Sequence, residues 1–152
     1  MRIALYEPEI AGNVGAVLRL GACLGVPVDL IEPMGFAWND ARVRRTAMDY
    51  IDHVEVTRHN GFAACRNTLG DARLILFTTK AERSLYDAQF EPNDILLFGR
   101  ESAGVPAEIA DACDLKLKIP TVPGVRSMNL AMAAGIAASE ALRQLRLAPI
   151  PA

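Results

Sequence analysis

The sequence predicts a single α/β domain built on a mostly parallel sheet with helices on both faces. Short apolar runs alternate with longer segments in which apolar residues recur at helical spacing. This alternation is typical of parallel sheets, because each parallel connection needs a crossover long enough to hold a helix. The 152 residues suffice for one hydrophobic core. A hydrophobic content of 51% argues against a disordered chain.

The elements follow in order along the chain. Strands are predicted over 3–6, 28–31, 54–57, 74–78, 95–98 and 115–119. In the first helix Val14, Val17 and Leu18 share a face, Asn13 is a candidate N-cap, and Gly25 is a suitable stop. Further helices are predicted over 61–69, 106–113 and 129–145, with a short one over 41–48. The prolines at 149 and 151 predict an irregular tail.

Composition and cysteine usage narrow the class of protein. No apolar run approaches the length of a membrane span, and the first residues lead into a strand without signal-peptide architecture. The cysteines, Cys23, Cys65 and Cys113, are widely spaced without a Cys-x-x-Cys pair. This spacing argues against a zinc site or a redox pair. We expect buried free thiols in a protein of the reducing cytoplasm.

Charge distribution leaves two interpretations open. The formal net charge of −2 and the pI of about 5.7 disfavour a nucleic-acid partner. Arg42, Arg44 and Arg45 nevertheless crowd one short stretch. Such a cluster is either a solvated helix face or a phosphate-binding surface.

Several familiar site motifs are missing. No Gly-x-Gly-x-x-Gly follows the first strand, and there is no Walker-type Gly-Lys-Ser/Thr and no Gly-x-Ser-x-Gly elbow. His53 and His59 each stand without a matching set of cysteines or carboxylates, so we expect no metal.

The last third of the chain carries the strongest functional signal. Glycine- and proline-containing segments over 77–80, 97–106 and 119–130 each begin where a predicted strand ends. Ligands of open parallel sheets bind outside the carboxyl ends of the strands, so the three segments predict one composite pocket. The backbone from Thr121 to Val125 is expected to be unpaired, so its amides and carbonyls could bind an adenine edge and a ribose. The alternative is a set of tight turns with no ligand.

These segments also resemble a known family. Asn13-Val14-Gly15 leading to Arg19, the LFGRESAG segment at 97–104, and Ile119-Pro120 continuing into RSMNL at 126–130 match the three motifs of the SPOUT methyltransferases. Two further segments resemble those of the small bacterial tRNA 2′-O-methyltransferases that act at the wobble position: LYEPEI at 5–10 and IEPMGFAW at 31–38. One difference is Arg100, where that family usually has proline.

The resemblance implies one methyltransferase domain over 1–152, with a deep C-terminal trefoil knot over roughly 74–145 that binds S-adenosyl-L-methionine. The implied cofactor contacts are Phe77, Gly99, Ile119 and Ser127, largely through main chain. The family also implies a homodimer with the active site at its interface. The small residues of the last helix agree with close packing against a second subunit, although a core helix within one subunit explains them equally well.

The implied reaction is transfer of the cofactor's methyl group to a ribose 2′-hydroxyl of tRNA. Arg19 is the key side chain by motif, and we expect it to bind the phosphate beside the target ribose and stabilise developing oxyanion charge. Asn13, Glu101, Ser127 and Asn129 match positions that shape the pocket around it. Each has an alternative role: Asn13, Ser127 or Asn129 as a helix cap, and Glu101 as a loop-fixing carboxylate.

The resemblance also suggests how RNA binds. Arg42, Arg44, Arg45 and Lys80 are candidate contacts to the anticodon stem-loop of tRNA, with Trp38 or Tyr50 either stacking on a base or anchoring the loop. Two other functions stay open: a methyltransferase of the same class acting on ribosomal RNA or another tRNA position, and a non-catalytic RNA-binding module.

Overall fold

The computed structural model describes residues 1–145, apart from the side chain of Thr46. Its strands are β1 (Arg2–Tyr6), β2 (Val28–Ile31), β3 (Val56–His59), β4 (Leu74–Phe77), β5 (Ile95–Phe98) and β6 (Leu115–Leu117). They form one six-stranded sheet in the order β3-β2-β1-β5-β4-β6, and every pairing is parallel. The prediction of a parallel α/β sheet is therefore confirmed.

Helices connect the strands. They are α1 (Ala11–Leu24), α2 (Asp40–Ala47), α3 (Phe62–Leu69), α4 (Ala107–Asp111) and α5 (Leu130–Leu145). Two short 3-10 helices, Met48–His53 and Leu85–Asp87, were not anticipated from the sequence. Gly25 ends α1 at a φ of 66°, the left-handed conformation expected of its stop residue.

The sheet is covered on both faces because successive strand residues point to opposite sides. Ile3 and Leu5 pack with α1, α2 and α5 in the larger core. Ala4 and Tyr6 pack on the other face with Cys65 of α3 and Ile109 of α4 in a smaller core. The predicted placement of helices on both faces is thus confirmed.

One strand lies later in the chain than predicted. β3 runs from Val56 to His59, because the apolar Val54 packs beside the core from the preceding turn while the polar His59 is drawn into the sheet. There His59 Nε2 lies 2.7 Å from the buried carboxylate of Asp29. That carboxylate also accepts a hydrogen bond from Arg2 Nε at 2.6 Å. This buried polar group therefore ties β1, β2 and β3 together.

The cysteine environments correct one expectation and support another. Cys23 is exposed, so the expectation of three buried thiols is wrong for it, because it lies on the outward face of α1. Cys65 is buried and Cys113 is half-buried. Desolvation by burial raises the pKa of the Cys65 thiol to about 12 and that of Cys113 to about 11.

We therefore expect iodoacetamide at pH 8 to alkylate Cys23 fast and Cys65 and Cys113 slowly in the native protein. The thiolate is the reactive species, and a raised pKa keeps both inner thiols protonated until the pH rises well above 9. Peptide mass spectrometry after timed labelling gives the three rates, and labelling in urea is the control in which all three should react. Equal native rates would contradict this assignment.

The remaining sequence expectations concern the knot, the C-terminal tail, membrane spans and metal sites. The trefoil knot and its bounds stay predictions, and the irregular tail lies outside the described residues. Within residues 1–145 no helix is long and apolar enough to cross a membrane. In the same range no group of three or more His, Cys, Asp or Glu side chains could hold a metal ion.

Candidate functional site

Three of the predicted cofactor residues lie at the carboxyl ends of adjacent strands. Phe77 ends β4 and pairs in register with Phe98 of β5 and Leu117 of β6. Gly99 directly follows Phe98, and Ile119 lies just beyond Leu117. The sheet therefore brings Phe77, Gly99 and Ile119 to one edge, as expected from the strand order.

The side chain of Phe77 belongs to the core. Its ring stacks on that of Phe98 with centroids 5.0 Å apart and an interplanar angle of 11°, and both residues are buried. Only the main chain of Phe77 is thus placed to meet a ligand at this edge.

The loop after β5 is a tight turn. Arg100 and Gly104 exchange backbone hydrogen bonds of 3.0 and 2.8 Å. A Cβ on Gly99 would lie 2.5 Å from the carbonyl carbon of Gly104 and 2.8 Å from the nitrogen of Val105. Gly104 itself has a φ of 66°. The loop therefore requires glycine at both positions, one for close backbone approach and one for left-handed backbone.

The segment before α5 leaves its backbone open. Residues 121–129 are exposed and form no helix or strand. No backbone–backbone hydrogen bond with another described residue involves positions 119–128. Ser127 lies in this segment. The backbone donors and acceptors of the segment are therefore available to a ligand beside the ends of β4, β5 and β6. This fits the main-chain recognition expected from the sequence.

A polar network lies beside this segment and joins three of the predicted catalytic residues. The half-buried carboxylate of Glu101 accepts hydrogen bonds from the backbone of Glu9 at 2.9 Å and Ile10 at 3.3 Å, and from Asn13 Nδ2 at 3.1 Å. Asn13 Oδ1 accepts from Asn129 Nδ2 at 2.9 Å. The structure thus brings Asn13, Glu101 and Asn129 together.

The network decides between the alternative roles of the two asparagines. α1 begins at Ala11 with Ile10 as its N-cap, so the N-cap interpretation of Asn13 is wrong. Its side chain is turned to Glu101 and Asn129 instead. Asn129 does both: its Oδ1 accepts from the backbone of Ala131 at 2.9 Å, as a cap of α5 would, while its Nδ2 reaches Asn13.

A second carboxylate, missed by the sequence analysis, completes the link between the loops after β1 and β5. Glu9 accepts hydrogen bonds from the backbone and hydroxyl of Ser102 at 2.8 and 2.7 Å. These hydrogen bonds lower the pKa of the Glu9 carboxyl. The sequence signals were that Glu9 and Ser102 each follow a strand and lie within the LYEPEI and LFGRESAG segments.

We expect Glu101→Gln to lower the free energy of unfolding by about 1–3 kcal/mol and to weaken catalysis. The amide retains one acceptor oxygen for three donors, and its NH₂ group faces N–H groups of the α1 N-terminus, where negative charge is favourable. Urea denaturation measures the change, with the exposed Glu82→Gln as matched control. An unchanged unfolding midpoint for Glu101→Gln would contradict the network.

Arg19 lies apart from this network. It is exposed on α1 six residues after Asn13, a separation of about 9 Å along a helix axis and onto another face. Its guanidinium donates to Met48 Sδ at 3.3 Å and lies 5.0 Å from the ring centroid of Tyr50. Among the described residues no hydrogen bond connects Arg19 to Asn13, Glu101 or Asn129. The described chain therefore does not bring all predicted catalytic residues together.

The predicted RNA contacts are all exposed. Arg42, Arg44 and Arg45 lie on α2, whose N-cap Asn39 accepts from the backbone of Arg42. Arg44 pairs with Asp52 at 3.2 Å, which reduces the charge it offers. Lys80 follows β4 at the edge where the three strand ends meet. The predicted RNA contacts thus lie at two separate places, on helix α2 and in the segment after β4.

Arg100 was singled out only as a difference from the resembled family. Its guanidinium lies 5.8 Å from the ring centroid of Tyr6 and 3.4 Å from a carboxylate oxygen of Glu7. Its Nε is buried without a hydrogen-bond partner among the described residues. Arg100 therefore connects the loop after β5 to the end of β1 through its contacts with Tyr6 and Glu7.

Comparison with known proteins covers nearly the whole chain. The SpoU rRNA Methylase family profile matches residues 1–139. A tRNA (cytidine(34)-2'-O)-methyltransferase of Beijerinckia indica is 48% identical over 145 residues, which span 94% of this chain and 91% of that protein.

Solved structures agree on the fold. A structure described as giving insights into the 2-OH methylation of C/U34 on tRNA has a TM-score of 0.91 at 45% identity and covers 95% of each chain. An AdoMet-bound rRNA methyltransferase of Sinorhizobium meliloti has a TM-score of 0.85 at 24% identity, covering 95% of this chain and 56% of that one. The latter likeness shows the shared fold.

Proposed function

Because the chain belongs to the SpoU rRNA methylase family, we propose that it methylates the ribose 2′-hydroxyl of the wobble nucleotide, position 34, of tRNA. The methyl donor is S-adenosyl-L-methionine, and the target is cytidine or a modified uridine. The likeness to the Beijerinckia indica enzyme carries the substrate assignment, because it spans nearly the full length of both proteins. The methyltransferase resemblance drawn from the three sequence motifs is confirmed by the family match.

The geometry fits this cofactor. Main-chain groups of Phe77, Gly99 and Ile119 meet at one edge of the sheet, and the open backbone of residues 119–128, with Ser127, supplies donors and acceptors for an adenosine. When bound, S-adenosylmethionine supplies a methyl group already activated on a sulfonium. The protein's work is then positioning of the ribose and handling of its hydroxyl proton, and alignment alone can supply about 7–11 kcal/mol.

Arg19 has the chemistry to position the RNA. A guanidinium stays protonated at neutral pH, so it acts as a charged donor and not as a general base. We assign it the phosphate beside the target ribose and the negative charge that develops on the 2′-oxygen. The proton passes to that phosphate or to water. The Asn13–Glu101–Asn129 network holds the surrounding loops in place.

Separation of Arg19 from the strand ends supports a homodimer in which one subunit's Arg19 serves its partner's site. The α5 face formed by Ala134, Ala137, Ala138 and Ala141 is fully buried within its own subunit. On the other side of α5 Met132 is 62% exposed. These four alanines of α5 therefore serve the subunit core, whereas Ala131, Ala133 and Gly135 are only half-buried and lie toward the side available to a second copy.

The RNA contacts are Arg42, Arg44, Arg45 and Lys80, reaching the anticodon stem-loop. With a net charge of −2, binding should be modest and weaken as salt increases. The enzyme acts in the cytoplasm, with its tRNA substrate.

Ribosomal RNA is the second candidate substrate, because the matching family is described by rRNA methylation. Incubation with labelled S-adenosylmethionine and either unmodified tRNA or deproteinised ribosomal RNA separates the two. We expect label in tRNA. Label confined to ribosomal RNA would overturn the tRNA assignment, and cofactor binding without transfer to either RNA would favour a non-catalytic module.

A further inference from the structure

A cavity of about 300 Å³ lies at the carboxyl ends of β2 and β3, away from the predicted cofactor residues. Its lining combines aromatic and polar side chains: Phe36 and Trp38 from the segment after β2, Arg58 of β3, Glu32 and Asn60. Phe36 and Trp38 are half-buried against the larger core, so this wall of the cavity is anchored.

The guanidinium of Arg58 lies over the ring of Trp38 in this cavity, and we call this pair the Trp38–Arg58 platform. The guanidinium carbon of Arg58 lies 5.0 Å from the centroid of the Trp38 ring. Both Nε and Nη2 of Arg58 donate to Glu32 Oε1, the former at 3.2 Å. Trp38 Nε1 donates to Asp40 Oδ1 at 2.6 Å, which fixes the indole. Trp38 thus covers one face of the guanidinium and Glu32 binds one edge. The Arg58 side chain is still 43% exposed.

We propose that this cavity binds a nucleobase of the substrate RNA, from a nucleotide near the methylated one. The inference rests on the proposed function and adds a base-recognition site to it. RNA bases splayed from loops stack on aromatic rings and arginine planes, and their edges pair with amides and carboxylates. The free face of Arg58 provides the plane, and Asn60 provides a donor and an acceptor beside it.

The position of the cavity in the sheet suits a neighbouring nucleotide. β1 separates β2 from β5, and β3 lies four strands from β4. With strands about 4.8 Å apart, the cavity lies about 10–24 Å from the predicted cofactor residues along the sheet edge. Basic helix α2 begins directly after the Trp38 segment and offers cations for the intervening phosphates.

An abasic scan tests the site. Anticodon stem-loop RNAs, each lacking the base of one loop nucleotide other than the target, are titrated against the protein with S-adenosylhomocysteine at fixed salt. For the wild type we expect one abasic position to weaken binding about 5- to 100-fold, the range of a lost base stack. Arg58→Ala should bind the intact RNA more weakly by a similar factor and no longer respond to that abasic position.

Two further variants sharpen the result. Arg58→Lys keeps the charge without the plane and should behave as Arg58→Ala, while Lys116→Ala, which also removes an exposed ion-paired cation, should bind as the wild type. Full affinity of Arg58→Lys, or abasic sensitivity that survives in Arg58→Ala, would overturn the proposal. Thermal unfolding checks that each variant is folded.

Methyl transfer by the wild type to the intact stem-loop is measured in parallel. If methyl transfer occurs but no abasic position depends on Arg58, the base-binding site is refuted while the proposed function stands. Absence of transfer to this RNA and to full-length tRNA counts against the proposed function instead.

Discussion

Replacing Arg19 by alanine is expected to lower kcat/KM for methyl transfer about 100- to 1,000-fold, the usual effect of removing a preorganised donor to developing negative charge. Stability should change little, because Arg19 is exposed and its hydrogen bond to Met48 and its contact with the Tyr50 ring lie at the surface. Cofactor affinity should also stay near the wild-type value. Steady-state kinetics with tRNA and calorimetric titration of S-adenosylmethionine measure the two quantities.

Arg19→Lys separates charge from geometry. Lysine keeps the positive charge but cannot donate two parallel hydrogen bonds to a phosphate, so we expect it to recover only a small part of the lost activity. Lys116→Ala, which removes an exposed cation from β6, is the control and should retain full activity. Near-full activity of Arg19→Lys would reduce the role of Arg19 to charge alone.

The second large effect is expected for Gly99→Ala, which should abolish measurable cofactor binding and destabilise the loop. The added Cβ would lie 2.5 and 2.6 Å from backbone atoms of Gly104, and backbone cannot move aside without opening the turn. Overpacking of this kind typically costs about 1–3 kcal/mol. The hydrogen bonds between Arg100 and Gly104 would be strained with it.

Gly12→Ala is the matched control for Gly99→Ala. Gly12 lies in α1 with nothing within 4 Å of a Cβ built on it, so alanine should be tolerated or slightly stabilising there. Thermal unfolding measures the stability of both variants, and cofactor titration measures their affinity for S-adenosylmethionine. Wild-type cofactor affinity in Gly99→Ala would show that this loop does not need close backbone approach.

The fold was predictable where local patterns are strong. The run at 95–98 is apolar throughout and that at 28–31 is apolar except for Asp29, as expected of strands buried on both faces, and they form β5 and β2 with those bounds. The left-handed stop at Gly25 was likewise predictable from residue type. β3 was misplaced because its register depends on the Asp29–His59 contact, a long-range pairing of polar side chains that periodicity does not report.

Motifs in the sequence singled out candidate site residues, but they did not report the hydrogen bonds between them. Asn13, Glu101 and Asn129 were singled out, yet their bonds join residues 88 and 116 positions apart in the chain. The reciprocal pairs, Glu9 with Ser102 and Glu101 with the α1 N-terminus, likewise require that the loops after β1 and β5 be adjacent. That adjacency comes from the pairing of β1 with β5. The Trp38–Arg58 platform depends on the β2–β3 neighbourhood in the same way.

Nucleoside mapping decides whether the protein methylates the wobble ribose of tRNA. Labelled S-adenosylmethionine is incubated with bulk tRNA lacking 2′-O-methylation at the wobble position, and the methylated nucleotide is located, with Arg19→Ala in parallel. We predict label at the 2′-oxygen of nucleotide 34 with the wild type and almost none with the variant. Label at another tRNA position would contradict methylation of the wobble ribose, and equal label with Arg19→Ala would contradict the role of Arg19.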